Sequence, residues 1–406
     1  MTTDQPNGMS TVAIHAGQEQ QAQHAHITPI FATSTFTFDS AEQGMNRFTG
    51  KEPGFTYSRF GNPTAAVAEE LIASLEAFRL QDEHGQPLHL KALMHASGQA
   101  AMTTMFLSNL TAGDAVLASQ SLYGGTHEFL GSFLPGFGVQ THFADLRDLN
   151  LAEDFLQKHP SIKLIHLETP ANPTMQCVDI EAVCKLAKQY GKKVTVDNTF
   201  ATPYLQQPSK YGADFVFHST TKFLNGHGSA IGGVLIGRDV EYMKTKVHRV
   251  SKLLGGTGNP FDAFLLIQGI KTLPLRMQQH CSNAMLVAQY LEQHPAIAKV
   301  NYNGLESHPD YTISQKQMKH AGAVLSFELK DGFDVTVQFI NKLKVCVRAV
   351  SLGTTDTLVS HPASMSHSGM SREERLQSGV TDGLVRMSVG LEDIQDLLAD
   401  LEQALK

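Results

Sequence analysis

The amino-acid sequence predicts an α/β protein, with a mostly parallel sheet in a large domain and a smaller C-terminal α+β domain. The chain of 406 residues is too long for a single domain, because domains usually contain about 100–200 residues. Between about residues 90 and 240, short apolar runs alternate with helical stretches, and the runs lack the polar–apolar alternation of half-exposed strands. From about residue 260, fewer and shorter apolar runs lie between helical stretches, which predicts the second domain.

Residues 1–62 are predicted to form an extended N-terminal arm. This segment shows no long helical period, and it contains Pro29 and Pro53 together with aromatic residues such as Phe31 and Phe36. Apolar side chains on an extended arm need a surface to cover them, which favours packing against a second subunit.

The large domain is predicted to span residues 63–260. Its first helix should follow Asn62-Pro63-Thr64, because Asn and Thr cap helices and Pro suits the first turn. Two further helices are expected at 100–110 and 180–190. The predicted strands, all taken as buried and parallel, are residues 91–95, 115–118, 164–167, 194–196, 215–217 and 234–236.

The C-terminal domain is predicted to span residues 261–406. Strands are expected at 299–302, 323–329, 346–350 and 384–389, and helices at 283–293, 335–343 and 393–405. The last of these has the apolar periodicity of an amphipathic helix.

Composition and charge exclude several classes of function. The chain is 42% hydrophobic and 17% charged with a formal net charge of −7, so nucleic acid and anionic membranes are poor partners. It has no apolar stretch of about 18–20 residues and no N-terminal signal pattern. Four cysteines without a CxxC pair predict a reducing, cytoplasmic location. The sequence contains neither HExxH nor a zinc-type cysteine–histidine spacing, so no metal site is predicted.

Polar residues at the ends of the predicted strands are the candidates for chemistry, because ligands of open α/β sheets bind beyond the carboxyl ends of strands. Gly98 and Gln99 follow the first strand at a helix start, where backbone N–H groups can bind a phosphate; a simple tight turn fits equally well. Asp197 ends another strand, where it suits a cation or a hydrogen-bond donor but also a helix N-cap.

Lys222 follows the strand at 215–217, and the hydroxyls of Ser219 and Thr221 lie beside it in sequence. A lysine near a buried strand end is partly desolvated, which lowers its pKa and makes the amine nucleophilic, although an isolated lysine is more often a surface residue. A phosphate site, an acid and a reactive lysine at three strand ends are together what pyridoxal 5′-phosphate (PLP) requires.

Five sequence blocks, in order along nearly the whole chain, resemble the Cys/Met-metabolism family of fold-type I PLP-dependent transferases. The blocks are residues 57–64 (YSRFGNPT), 122–126 (LYGGT), 168–174 (ETPANPT), 196–200 (VDNTF) and 218–223 (HSTTKF). Within the family, residues 348–353 (RAVSLG), 361–365 (HPASM) and 384–392 (LVRMSVGLE) are most similar to the methionine γ-lyases.

The resemblance implies a role for each matched residue. Lys222 would bond covalently to the cofactor aldehyde and later move protons between substrate carbons. The other cofactor contacts would be Asp197 at the pyridine nitrogen, Asn172 at the phenolic oxygen, Tyr123 on the ring face, and Gly98, Gln99, Ser219 and Thr221 at the phosphate.

The same resemblance implies a homotetramer, a dimer of dimers with shared active sites. Tyr57 and Arg59 would reach the cofactor phosphate of a neighbouring subunit. Arg386, helped by Ser351, would bind the substrate carboxylate in a bidentate fork, and the Tyr123 hydroxyl would protonate a departing thiol.

The activity that the resemblance implies is γ-elimination from a sulfur amino acid, with L-methionine or L-homocysteine giving a thiol, 2-oxobutanoate and ammonia. The alternatives are γ-replacement, as in O-acetyl- or O-succinylhomoserine sulfhydrylase, then cystathionine γ-lyase, and lastly a homologue that binds the cofactor without catalysis. Gly125 stands where methionine γ-lyases carry a cysteine, and Val350 where cystathionine enzymes often carry a glutamate.

Overall fold

The computed structural model of the chain describes residues 8–18, 24–366, 368–369, 371–377 and 379–406. The strands are β1 (Lys91–His95), β2 (Ala115–Ser119), β3 (Gln140–Ala144), β4 (Ile162–Glu168), β5 (Lys193–Asp197), β6 (Phe215–Ser219), β7 (Gly233–Gly237), β8 (Ile297–Asn301), β9 (Val324–Leu329), β10 (Val347–Arg348), β11 (Leu358–Ser360) and β12 (Leu384–Ser388). The α-helices are α1 (Met9–His15), α2 (Ala41–Phe48), α3 (Pro63–Glu76), α4 (Gly98–Asn109), α5 (Gly124–Glu128), α6 (Leu149–Lys158), α7 (Ile180–Gln189), α8 (Thr202–Leu205), α9 (Val240–Tyr242), α10 (His248–Leu254), α11 (Pro260–Lys271), α12 (Leu273–Gln293), α13 (Tyr311–Gln317), α14 (Gly332–Lys342), α15 (Arg372–Gln377) and α16 (Ile394–Leu405).

The first sheet has seven strands in the order β1-β7-β6-β5-β4-β2-β3. Strands β2 to β6 pair in parallel, as predicted, whereas β7 runs antiparallel to both β1 and β6. Because β7 is antiparallel to both β1 and β6, β1 and β6 point in the same direction. The carboxyl ends of β1, β2, β4, β5 and β6 therefore meet at one edge of the sheet.

Helices cover both faces of this sheet because its strands are apolar on both sides. Helix α4 buries Phe106 against one face, beside Phe215 and Phe217, and full burial of such a ring contributes about 2–3 kcal/mol. Helix α3 packs on the other face; the Asn62 side chain accepts the Thr64 N–H at its start, as the sequence predicts.

The second sheet has five strands in the order β10-β11-β12-β9-β8, antiparallel except for the short β10–β11 pair. Helices α12 and α14 pack against it, and α16 packs against both of these helices. One hydrophobic core runs without a break from the first sheet to the second, and it includes Val216, Ile270, Phe327 and Met387. The predicted domain boundary near residue 260 stays a prediction.

Several sequence predictions were wrong in detail. The arm is not wholly extended: it contains α1 and α2, which at seven and eight residues are too short to show a sustained helical period; its residues 1–7 and 19–23 lie outside the described residues. The predicted parallel strand at 234–236 is antiparallel, and the strand predicted at 346–350 shrinks to Val347–Arg348. The edge strand β3, partly exposed and polar, was not predicted.

In the part of the chain that the structure describes, every helix is too short or too polar to cross a membrane.

Candidate active site

The strand ends that share one edge of the first sheet bring most of the predicted site residues together. Gly98 follows β1, Tyr123 follows β2, Asn172 follows β4, Asp197 ends β5 and Lys222 follows β6. Strand β12 of the second sheet adds Arg386 to this edge, since its guanidinium and the Lys222 amine both bind Ser351.

The predicted phosphate site is a close approach between α4 and the end of β6. A side-chain carbon on Gly98 would lie 3.0 Å from the Cβ of Ser219, so glycine is needed for this contact. The N–H groups of Gly98 and Gln99 lie in the first turn of α4, where no carbonyl of the helix can accept them. The site therefore offers backbone donors, a helix dipole and a hydroxyl to an anion.

The Thr221 hydroxyl, a predicted phosphate contact, and the Gln99 side chain, which was not one, are already engaged by other groups. The Thr221 hydroxyl accepts the N–H of Gly232 at 3.0 Å and donates to the carbonyl of the same residue at 3.3 Å. The Gln99 side chain donates to the carbonyl of Gly125 at 3.1 Å. Only the backbone of Gln99 is thus free to act as the sequence predicts.

The Lys222 amine is held inside the cleft. Its Nζ donates to the hydroxyl of Ser351 at 3.0 Å. Burial, helped by the positive charge of Arg386, lowers the pKa of this amine from 10.5 to about 8. A substantial fraction of the amine is therefore neutral and nucleophilic at mildly alkaline pH.

Arg386 is anchored by its backbone neighbours across the cleft. Its Nη2 donates to the carbonyls of Val350 at 2.7 Å and Ser351 at 3.0 Å. Burial lowers the pKa of the guanidinium to about 10, so it stays charged at neutral pH, and the Tyr123 hydroxyl lies near enough to act against that shift. A fixed cation of this kind suits a substrate carboxylate.

Two acids stand side by side at the ends of β4 and β5, where Glu168 and Asp197 are register partners. Asp197 accepts the Thr199 N–H at 3.0 Å, and burial raises the pKa of its carboxyl. Among the described residues, no Lys or Arg forms an ion pair with Asp197, which leaves its carboxylate suited to an incoming protonated ring nitrogen.

Glu168 was not predicted to take part in the site. It is buried, and its carboxylate accepts the N–H of Tyr123 at 2.6 Å and that of Asn172 at 3.1 Å. The signal was available, because Glu168 follows a predicted strand just as Asp197 does.

The side chain of Asn172 has an unmet hydrogen-bonding need. Its Oδ1 is buried and, within the described ranges, has no partner. Buried amide atoms are rarely left so, which fits a site that receives a polar ligand at this point. With the cradle at Gly98 and the unpaired acid, these residues fit PLP: Lys222 would hold its aldehyde, Asp197 its ring nitrogen, and Asn172 its phenolic oxygen.

Tyr57 and Arg59 lie apart from this constellation in the single chain. The Arg59 guanidinium donates to the carbonyl of Lys252 and stacks on the rings of Phe60 and Tyr57. Both residues line an open cavity of about 210 Å³ together with residues 257–260. Their predicted contact with a phosphate in a neighbouring subunit stays a prediction.

Within the described ranges, no group of three or more His, Cys, Asp or Glu side chains is arranged to hold a metal ion.

The family model for "Cys/Met metabolism PLP-dependent enzyme" matches residues 10–406. The chain belongs to this family. It is 45% identical over 401 residues to an L-methionine γ-lyase of Fusobacterium nucleatum, covering 98% of each chain. It is 39% identical to an O-succinylhomoserine sulfhydrylase of Pseudomonas aeruginosa, over 97% of this chain and 94% of that one.

A solved structure, that of cystathionine γ-lyase from Lactobacillus plantarum complexed with L-serine, superposes with a TM-score of 0.88 at 38% identity, over 98% of both chains. These similarities confirm the predicted fold-type I architecture, the PLP cofactor and the assignment as a PLP-dependent carbon–sulfur lyase of the methionine γ-lyase type.

Proposed function

We propose that the protein catalyses γ-elimination from L-methionine or L-homocysteine: the amino acid and one water give 2-oxobutanoate and ammonia, with methanethiol from methionine or hydrogen sulfide from homocysteine. The observation that supports this most directly is that Ser351 links Lys222 to Arg386: its hydroxyl accepts from the Lys222 amine and its carbonyl accepts from the Arg386 guanidinium. When bound, PLP supplies the electron sink that acidifies the substrate Cα and Cβ positions.

The chain's own residues orient the substrate and move its protons. Arg386 binds the substrate carboxylate, and Ser351 holds the Lys222 amine beside it. Because its pKa is lowered to about 8, the Lys222 amine can both accept a proton from Cα or Cβ and return one near neutral pH. We infer that the Tyr123 hydroxyl, whose charge interacts with that of Arg386, protonates the leaving thiolate.

An uncharged distal group fits this cleft better than an ammonium group. The carbonyl of Val350 accepts a hydrogen bond from Nη2 of Arg386. The side chain of Val350 provides no carboxylate that could pair with a second substrate amine. A second substrate ammonium group near Val350 would therefore find no carboxylate partner from this residue. This supports methionine or homocysteine over cystathionine, and places cystathionine γ-lyase third among the candidates.

γ-Replacement, as in O-acetyl- or O-succinylhomoserine sulfhydrylase, is the second candidate. Gly125 favours it, because this position carries cysteine in methionine γ-lyases, and one relative of similar coverage is an O-succinylhomoserine sulfhydrylase. Elimination and replacement share the same proton transfers and differ in whether water or a thiol nucleophile completes the reaction.

We further propose a cytoplasmic homo-oligomer, a dimer of dimers. Tyr57 is exposed on the arm with Ile30 and Phe48, and apolar exposure of this kind supports contact with a second copy. Through that contact Tyr57 and Arg59 would reach the neighbouring phosphate. All four cysteines are free and buried, which supports a reducing compartment.

One incubation series tests the function. The PLP-loaded protein is mixed separately with L-methionine, with L-cystathionine, and with O-acetyl- or O-succinylhomoserine plus sulfide, and 2-oxobutanoate, ammonia, thiol and homocysteine are quantified. We expect thiol and 2-oxobutanoate in equal amounts from methionine. If homocysteine forms from an acyl ester and no product is released from methionine, the function is γ-replacement and not γ-elimination. A protein that takes up PLP and turns over none of these substrates would be a binding homologue.

A further inference from the structure

Glu168 joins two loops that both bear proposed cofactor contacts. One carboxylate oxygen, Oε2, accepts the N–H of Tyr123 at 2.6 Å, and the other, Oε1, accepts the N–H of Asn172 at 3.1 Å. The two donor residues follow the neighbouring strands β2 and β4, and both lie beyond the pairing of these strands, which ends at Ala118 and His166. The side chain is only 4% exposed.

An acid at this position is expensive for the fold. Register pairing puts Glu168 and Asp197 on the same face of adjacent strands, so two carboxyl groups stand together at the buried edge. Burial and the nearby charge of Asp197 raise the pKa of Glu168 to about 8. A neutral side chain would avoid this cost, so stability alone does not explain the acid.

The position of the Glu168 carboxyl group instead allows it to bind both loops at once, those that carry Tyr123 and Asn172. A carboxylate offers an acceptor on each of two oxygens, whereas an amide of the same shape offers one acceptor and one donor. The Tyr123 ring is also limited from its other side, since a carbon added to Gly125 would lie 2.7 Å from it. The tyrosine backbone is thus held by Glu168, and its ring lies where a side-chain carbon on residue 125 would require it to shift.

We propose that Glu168 is a positioning residue, which sets Tyr123 at the face of the cofactor ring and Asn172 at its phenolic oxygen. This inference deepens the proposed function and rests on the same site, but it concerns cofactor placement and holds for elimination and replacement alike.

The test compares Glu168→Gln with the parent holoenzyme above about pH 8, where the Glu168 carboxyl of the parent is ionised. The NH2 of the introduced glutamine cannot accept a hydrogen bond, so either the Tyr123 or the Asn172 N–H loses its acceptor and the loop that carries it is released. Losing one hydrogen bond to a charged acceptor costs about 1.5–3 kcal/mol, so we expect the dissociation constant for PLP, measured by equilibrium dialysis, to rise about 10–100-fold. The visible circular dichroism of bound PLP should weaken, and kcat should fall more than KM rises, because Arg386 is untouched.

Asp214→Asn is the matched control. The Asp214 carboxylate accepts the N–H of Val194 at 2.8 Å at the opposite edge of the same sheet, so Asp214→Asn makes the same acid-to-amide change where a single acceptor is enough. We expect this variant to keep the PLP affinity and circular dichroism of the parent. Equal losses of PLP affinity in both variants would overturn the proposal in favour of a general loss of stability.

Glu168→Asp separates reach from charge. Aspartate keeps the negative charge but is one methylene too short to bridge both loops, so we expect it to lose PLP affinity and dichroism as the glutamine variant does. If Glu168→Asp behaves as the parent, the residue acts through its charge and the proposal is wrong. Because PLP binding needs no substrate, a protein inactive on all sulfur amino acids would contradict the proposed function and leave this test intact; should Glu168→Gln be insoluble, Glu168→Asp provides the same readouts.

Discussion

Replacing Lys222 by methionine should stabilise the cofactor-free protein near neutral pH while it abolishes turnover. The folded chain holds this amine with its pKa lowered from 10.5 to about 8. At about 1.4 kcal/mol for each tenfold change in proton binding, the buried charge costs roughly 3 kcal/mol at pH values below both pKa values. Loss of the hydrogen bond to Ser351 returns about 1 kcal/mol, so the expected net gain is about 2 kcal/mol.

The pH dependence fixes the sign of this effect. Between about pH 8 and pH 10.5 the unfolded chain keeps the Lys222 proton and the folded chain has released it, so the stability of the parent rises with pH across this window. The advantage of Lys222→Met should therefore be largest below about pH 8, and by pH 10.5 it should give way to a deficit of about 1 kcal/mol from the lost hydrogen bond to Ser351.

Urea unfolding of the cofactor-free proteins, followed by far-ultraviolet circular dichroism at several pH values, measures the difference. Lys158→Met is the control, because Lys158 is an exposed lysine paired only with Asp154 on the same helix face. A Lys222→Met variant that is less stable than the parent near neutral pH, or a difference that stays constant through the window, would refute the electrostatic description of the cleft. Residual turnover would refute the catalytic role.

Three further predictions concern the substrate and cofactor contacts. Arg386→Lys should raise KM for methionine at least about tenfold and lower kcat less, because a lysine cannot form the bidentate fork; steady-state kinetics measure this, and a parent-like KM would contradict it. Tyr57→Phe and Arg59→Ala should each lose PLP faster on dialysis, and unchanged PLP content would argue against the cross-subunit phosphate contact. Gly125→Ala should displace the Tyr123 ring, since the new carbon would lie 2.7 Å from it; we expect lower kcat at unchanged melting temperature, and a parent-like kcat would show that the ring tolerates the carbon.

Much of the site could be predicted from the sequence because its signals are local. Each of Gly98, Asp197 and Lys222 follows a short apolar run, and the shared direction of these strands brings their ends to one edge. Arg386 and Ser351 had no such signal. They meet Lys222 only through the second sheet, so their roles came from the family resemblance alone.

Other features depend on non-local pairing, which a local pattern does not encode. The reversed direction of β7 follows from its pairing with β1 and β6, yet its apolar residues look like those of a parallel strand. Glu168 follows a predicted strand as Asp197 does. Its proposed role depends on the N–H groups of Tyr123 and Asn172, which are brought to it only when the chain folds.

Borohydride reduction of the PLP-loaded protein, followed by peptide mass spectrometry, tests the central claim most directly. Reduction fixes the cofactor to whichever amine holds its aldehyde. We predict a phosphopyridoxyl group on the peptide that contains Lys222, and none there in Lys222→Met. A label on another lysine, or no label in a protein that retains PLP, would contradict the assignment of this residue.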